Sequence, residues 1–241
     1  GRQIRLNAYG EVFLEKVEAA LNALEEGRRA VADMAGLERG AIFLDTTFLP
    51  QFSDALGAFL TEYPGVHFRF SRASSRKNME EMLLGGRIDL CISCHPVQQN
   101  GICNVPVKTE EIVLAVPAAH RLARLPQLDL REAAAELFVG FKKEHPFRDL
   151  TDELCRTAGF APNWVCEADE SRVVVDLVRT GIGIALLPES LAEPDEALCH
   201  LRIREPLSRR TYYLAWKENR YMSRAAAAFR EFLLRRYSAS V

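Results

Sequence analysis

The sequence predicts an α/β protein of two similar lobes joined by two crossover strands and preceded by a long dimerisation helix. Three observations predict it. The first forty residues carry a heptad-spaced apolar seam. Short apolar runs then alternate with amphipathic stretches, and this pattern runs through twice. A last strand and helix remain after the second run is complete.

The helix is read from Leu6-Asn7 to Ala35-Gly36. Its apolar positions Phe13, Val17, Ala20, Leu24, Gly27, Val31 and Met34 step alternately by four and three, the spacing of a coiled-coil seam. The stripe is flanked by Glu15, Lys16, Glu18, Glu25, Glu26, Arg28 and Arg29, so it buries little unless a second copy lies against it. Phe13, Val17, Ala20, Leu24, Val31 and Met34 are therefore the candidate dimerisation residues. The competing reading, an amphipathic helix docked on its own domain, draws on the weak seam residues Ala20 and Gly27. Before the helix, Gly1 to Leu6 alternates basic or polar with apolar residues like the last strand of a β-ribbon, and Asn7 supplies a helix cap. A chain that opens on half a supersecondary unit is expected to be a fragment whose N-terminal domain is missing.

After Gly40 the alternation begins. Ala41 to Leu44 reads as a strand, and Phe52, Leu56, Phe59 and Leu60 mark a helix stopped at Tyr63-Pro64-Gly65. Val66 to Phe70 is a strand, Met79, Met82 and Leu83 carry a helix ended by Gly85-Gly86, and Ile88 to Ile92 is the third strand. This is a βαβαβ unit, so a largely parallel sheet is expected. The second run opens with the strand Glu111 to Val116 and a capping box, Asp129 with Glu132, ahead of Ala133 to Leu137. It continues with the strand Phe138 to Phe141, a helix on Phe147, Leu150 and Leu154 closed by Gly159, and the strand Trp164 to Glu167. A helix on Val174, Leu177 and Val178 follows, then a buried strand from Gly183 to Leu187 ended by Pro188. The strand Thr211 to Trp216 and the helix around Phe229, Phe232 and Leu233 are assigned back to the first lobe. The chain is thus divided into residues 1–39, a first lobe of 40–116 plus 214–241, and a second of 117–213, with a first crossing near Val116-Pro117 and a cleft between the lobes as the site.

Composition narrows the function. The 241 residues are 48% apolar with a formal charge of −2, which suits a globular domain and not the part of a protein that grips nucleic acid. No apolar run approaches the ~20 residues of a membrane span and the amino end lacks a signal peptide's apolar centre, so a cytoplasmic, non-membrane protein is expected. The six cysteines show no small-scaffold spacing and are read as reduced core thiols.

The motifs carry a resemblance. Gly1 to Gly40, with Leu6-Asn7-Ala8-Tyr9-Gly10 opening the helix, resembles the end of the wing and the linker helix of LysR-type transcriptional regulators. The remainder resembles their effector-binding domain: Tyr63-Pro64-Gly65-Val66, Gly86-Arg87-Ile88-Asp89-Leu90, Val113-Leu114-Ala115-Val116-Pro117 with His120, Ala158-Gly159-Phe160-Ala161-Pro162, and Val178 through Pro188. The resemblance implies two Rossmann-like lobes in the periplasmic-binding-protein-like arrangement and a bacterial regulator sensing a small-molecule effector by allostery. It also implies a homodimer or homotetramer, operator DNA bound through a winged helix-turn-helix outside this sequence, and RNA polymerase as a further partner.

Site residues carry over position by position. Thr46 and Thr47, in the loop after the first strand, and Ser74, Ser75 and Arg76, before the second helix of that lobe, match the family's hydroxyl-bearing effector segments. A hydroxyl beside free N–H groups at a helix start suits an anion, and helix capping is the plain alternative for each serine. In the second lobe, Lys142, His145, Phe147 and Arg148 fall in the loop that closes over the effector, and Glu167 in the loop opposite. Asp45 stands where the family usually has a small residue. With Arg76 and Glu144 it adds charge of both signs, which suggests an effector bearing both a cationic and an anionic group.

Other chemistry has little support. Cys91-Ile-Ser-Cys94-His95 spells a haem-attachment pattern, but Cys91 lies in a core strand and no fourth metal ligand is placed, so neither a cofactor nor a metal is expected. Gly181-Ile182-Gly183 follows a helix and is no nucleotide fingerprint. The five histidines are scattered and no nucleophile elbow occurs, so the chain does not read as an enzyme. The alternative from another class is the two-lobed solute-binding protein of a transport system, which predicts a secretion signal, a monomer and no heptad helix.

Overall fold

In the computed structural model the described residues are 7–33, 40–73, 75–143, 145 and 147–238. The strand expected over Gly1 to Leu6, the seam residue Met34, and Ser74 and Glu144 lie outside them. The chain divides into two compact units, Gly1–Lys108 with Tyr212–Val241, and Thr109–Thr211.

The first unit opens with α1 (Ala8–Asp33), whose 26 residues span about 39 Å. Asn7 caps it as expected, Oδ1 accepting from the Gly10 N–H at 2.9 Å. Phe13, Leu24 and Val31 are each about 70% exposed, Ala20 is exposed and Val17 half-buried. The helix touches its own unit at α3 (Arg76–Gly85), where Asn22 Nδ2 lies 3.4 Å from the position a Gly85 Cβ would take.

The βαβαβ unit comprises β1 (Ala41–Thr46), α2 (Leu49–Glu62), β2 (His67–Ser71), α3 and β3 (Leu90–Ser93). β2 and β3 flank β1 in parallel, with Ala41 opposite His67 and Leu44 opposite Leu90. Alternation along each strand sends side chains to opposite faces. Leu90 and Ile92 join Ile42 and Leu44 in a core with Phe52, Ala55 and Phe59 of α2, while Cys91 turns to the other face with Leu83 of α3 and Ile88. Gly86 ends α3 in the left-handed region, φ 70°, which a glycine enters without steric cost.

The second unit is mixed. β4 (Ile102–Pro117) enters it and pairs antiparallel with β8 (Ala185–Pro188) and β9 (Leu198–Glu205), and β5 (Gln127–Asp129) runs parallel to β9. β6 (Leu137–Phe141) and β7 (Asn163–Ala168) form a parallel pair. Phe138, Val139 and Phe141 meet Leu154 and Cys155 of α4 (Arg148–Thr157) and Val174 and Val178 of α5 (Ser171–Arg179) in one core. β10 (Arg209–Lys217) returns the chain to the first unit, pairing antiparallel with β3, and α6 (Arg224–Tyr237) packs Phe229 against Phe59 at 5.0 Å between ring centres.

Several elements differ from the sequence reading. Only part of the sheet structure is parallel, because the returning strand β10 pairs antiparallel with β3, and β4 pairs antiparallel with β8 and β9. The capping box at Asp129 and Glu132 is present, but it opens a single 3-10 turn, Leu130–Ala133, because Leu137 is already in a strand. β5, β9 and the first half of β4 were not expected, although Gln127 to Arg131 and His200 to Arg204 do alternate polar with apolar residues. The passage between units falls within β4, between Lys108 and Thr109, upstream of Val116-Pro117, and returns within β10, between Thr211 and Tyr212.

Candidate functional site

In the first unit, the end of β1 is tied to the loop leading into α3. Asp45 is only 4% exposed, and its Oδ1 accepts from the Ser71 hydroxyl and the Ala73 N–H, each at 2.9 Å. Burial raises its pKa against the lowering effect of those two hydrogen bonds. The carboxylate thus acts as a latch between two loops. Thr46 is buried and its Oγ1 accepts from the Phe48 N–H at 3.0 Å, whereas Thr47 is exposed. Few of the free N–H groups expected at the start of α2 remain: Phe48 donates to Thr46, Pro50 has none, and Gln51 donates to the Phe48 carbonyl. Ser75 is the cap of α3, Oγ accepting from the Asn78 N–H at 3.2 Å, and Arg76 beside it is exposed.

In the second unit, all the described candidates gather between β6, β7 and α4. Gly140 of β6 has no side chain, and the Trp164 indole of β7 takes that space, its Cζ3 lying 2.1 Å from where a Cβ would be. The Arg148 guanidinium stacks on the indole at 4.0 Å and donates to the Phe141 carbonyl at 2.8 Å, to Asp152 at 2.9 Å and to Glu167. Burial opposes the charge of Arg148, 3% exposed, but the hydrogen bonds and charges of Glu167 and Asp152 outweigh it and hold its pKa above the ordinary value. Arg148 and Glu167, read from sequence as two separate contacts, thus form one ion pair. Lys142 is exposed and pairs with Asp169 at 2.5 Å. His145 stacks on Phe141 at 4.1 Å between centres, and its Nδ1 accepts from the Phe147 N–H at 3.2 Å.

Trp164, Asp152, Glu110 and Arg210 belong to this arrangement and were missed. Glu110 and Arg210 each stand beside a second charge of the same sign, Glu111 and Arg209, so no local signal set them apart. An open groove of about 770 Å³ runs along α4 and its following turn, lined among others by Lys143, Arg156, Phe160 and Pro162. Among the described residues no three His, Cys, Asp or Glu side chains come together to hold a metal. No helix among them is long and apolar enough to cross a membrane.

Comparison with known proteins agrees along the chain. The family described as LysR substrate binding domain matches residues 41–238. The HTH-type transcriptional regulator YybE of Bacillus subtilis is 30% identical over 99% of this chain and 82% of its own length. The transcriptional dual regulator GltC of the same organism is 30% identical over 99% and 81%. The effector-binding domain of QuiR in complex with shikimate is 27% identical with a TM-score of 0.70, covering 83% of this chain and 98% of that one. CbnR, 21% identical with a TM-score of 0.74 over 98% of this chain and 83% of that one, shares the fold. Matched through its α/β part by that domain and nearly end to end by such regulators, the chain belongs to the LysR family of transcriptional regulators.

Proposed function

We propose that this chain is the effector-sensing and oligomerisation part of a cytoplasmic regulator that binds operator DNA through a winged helix-turn-helix domain outside this sequence. The observation that carries the reading is the substrate-binding-domain match over residues 41–238, together with the likeness to an effector-binding domain that holds shikimate. The two units serve as the effector-binding lobes, with Thr46, Thr47, Ser75 and Arg76 contributing from the first and Lys142, His145, Phe147, Arg148 and Glu167 from the second. The mechanism is a population shift: an effector with different affinity for two states of the lobes biases the linker helices and so the DNA-binding heads. No catalysis is assigned. Operator DNA, a second copy of the chain and RNA polymerase are the macromolecular partners.

The exposed seam on α1 supports the oligomer. Leu24 and Val31 are 72% and 69% exposed, so Leu24→Glu with Val31→Glu leaves the α/β units folded and breaks the association. Light scattering after gel filtration is expected to read a dimer or larger species for the parent and a monomer for the variant. An unchanged mass refutes the seam. For the sensor, thermal unfolding is followed with a panel of small carboxylates that includes shikimate. A ligand at a hundred times its Kd adds about 2.7 kcal/mol of stability. A panel without a saturable rise in the unfolding temperature removes small carboxylates as the effector class.

A further inference from the structure

Glu110 and Arg210 sit on neighbouring strands, β4 and β10, just inside the second unit. On one side of them Thr109 and Thr211 join hydroxyls at 3.0 Å, and on the other the Ile112 N–H donates to the Ser208 carbonyl at 2.8 Å. Each strand leaves the unit immediately afterwards, at Thr109 and at Thr211. Glu110 is 7% and Arg210 5% exposed, and Glu110 Oε1 accepts from both Nε, at 3.0 Å, and Nη2, at 2.5 Å. Taking both charges out of water is costly, and two well-packed aliphatic side chains would hold the strands as firmly. The guanidinium does something an aliphatic chain does not. Its edge meets the carboxylate while its face lies over the Phe147 ring, 4.9 Å from the centre.

Phe147 is 2% exposed and fixes the loop that precedes α4. Its ring meets Phe141 edge-on at 5.6 Å, its N–H donates to His145, and the next residue is Arg148. We propose that Arg210 is a positioning residue that ties the paired strands β4 and β10, where they leave the second unit, to the Lys142–Arg148 loop. The state of the connecting strands and the geometry of the effector-binding loop then change together. This rests on the reading of that loop as part of the effector site, and it assigns the site's regulation to the crossover strands.

The test is amide hydrogen exchange on the 241-residue chain with no effector added. Arg210→Lys keeps a charge beside Glu110 but loses the planar face, and Phe147→Leu keeps apolar volume but loses the ring. Each single variant is expected to speed exchange at Arg148 and Thr151, whose N–H groups donate to the His145 and Phe147 carbonyls, by about tenfold. Exchange at Val139, in the core of the unit, stays within about twofold, and the double variant is no faster than the faster single one. Coupling is reciprocal, so Phe147→Leu, with Glu110 and Arg210 intact, also speeds exchange at Ile112. Loop exchange unchanged in Arg210→Lys, effects that multiply in the double variant, or an unmoved Ile112 in Phe147→Leu each overturns the proposal. The result does not depend on a ligand, so an empty effector screen and a failed coupling are distinguishable.

Discussion

A carboxylate held for the cationic group of a ligand and one held as a structural latch respond oppositely to replacement, and Asp45 separates the two. Removing the side chain, Asp45→Ala, orphans the Ser71 hydroxyl and the Ala73 N–H. Each loss is worth about 1–3 kcal/mol where water cannot substitute, and relief of a buried charge offsets part of it, which leaves a net cost of about 1–3 kcal/mol at pH 7. Asp45→Asn keeps an oxygen in place for both donors and carries no charge. Burial lifts the Asp45 pKa above its ordinary 3.8, so the ionised form is the less favourable one in the folded state. The contribution of the acid to stability is therefore fully present below pH 3.8 and is lost as pH rises through the raised folded value. Asp45→Asn suffers no such loss. Its stability relative to the parent is expected to improve from pH 3 upward and to level off once Asp45 is ionised. Urea unfolding at pH 3, 5 and 7, extrapolated to water, reads all three proteins. A gap between Asp45→Asn and the parent that moves in the parent's favour as pH rises shows that the two hydrogen bonds outweigh burial and refutes the raised pKa. An Asp45→Ala variant more stable than the parent refutes the latch and is the signature of a charge kept for a ligand.

Gly140→Ala drives a methyl into the Trp164 indole and displaces it from beneath Arg148, at a cost of about 1–3 kcal/mol. A shift in Trp164 emission, with Trp216 replaced by Phe to isolate it, is the readout, and unaltered emission contradicts the packing. Burial pushes the thiols of Cys91 and Cys155 up to about 12. At pH 8 a disulfide reagent is expected to titrate at most four of the six cysteines in the native chain and all six in denaturant; a fifth native thiol shows that one of the two strand or helix sites opens.

Much of the molecule was legible because local rules govern it. Phe13 to Val31 announce an exposed helical stripe by spacing alone, Asn7 caps that helix, and the glycines after α3 and α4 end helices as their positive φ requires. The strands of the βαβαβ unit were found because Ile42, Leu44, Leu90 and Ile92 are apolar in short runs bounded by turns. β5 and β9 escaped although Gln127 to Arg131 and His200 to Arg204 alternate, because the alternating runs are only five residues long and β9 is half polar.

The candidate site divides along the same line. The family resemblance marked the loops at Thr46, Ser75 and Lys142–Arg148, whose hydroxyls and charges before helices are visible in one dimension. Partnership was not visible. For Asp45 the sequence held no sign of the Ser71 hydroxyl and the Ala73 N–H, more than twenty residues away, that its carboxylate binds. Arg148 and Glu167 were two separate candidates until β6, β7 and α4 brought them together over Trp164. The sequence by itself determined the α/β class, the helix with its exposed apolar stripe and the order of most elements, because periodicity and turn chemistry act between near neighbours. Only the tertiary structure decided which charges are already paired, because pairing depends on distances that chain separation does not encode.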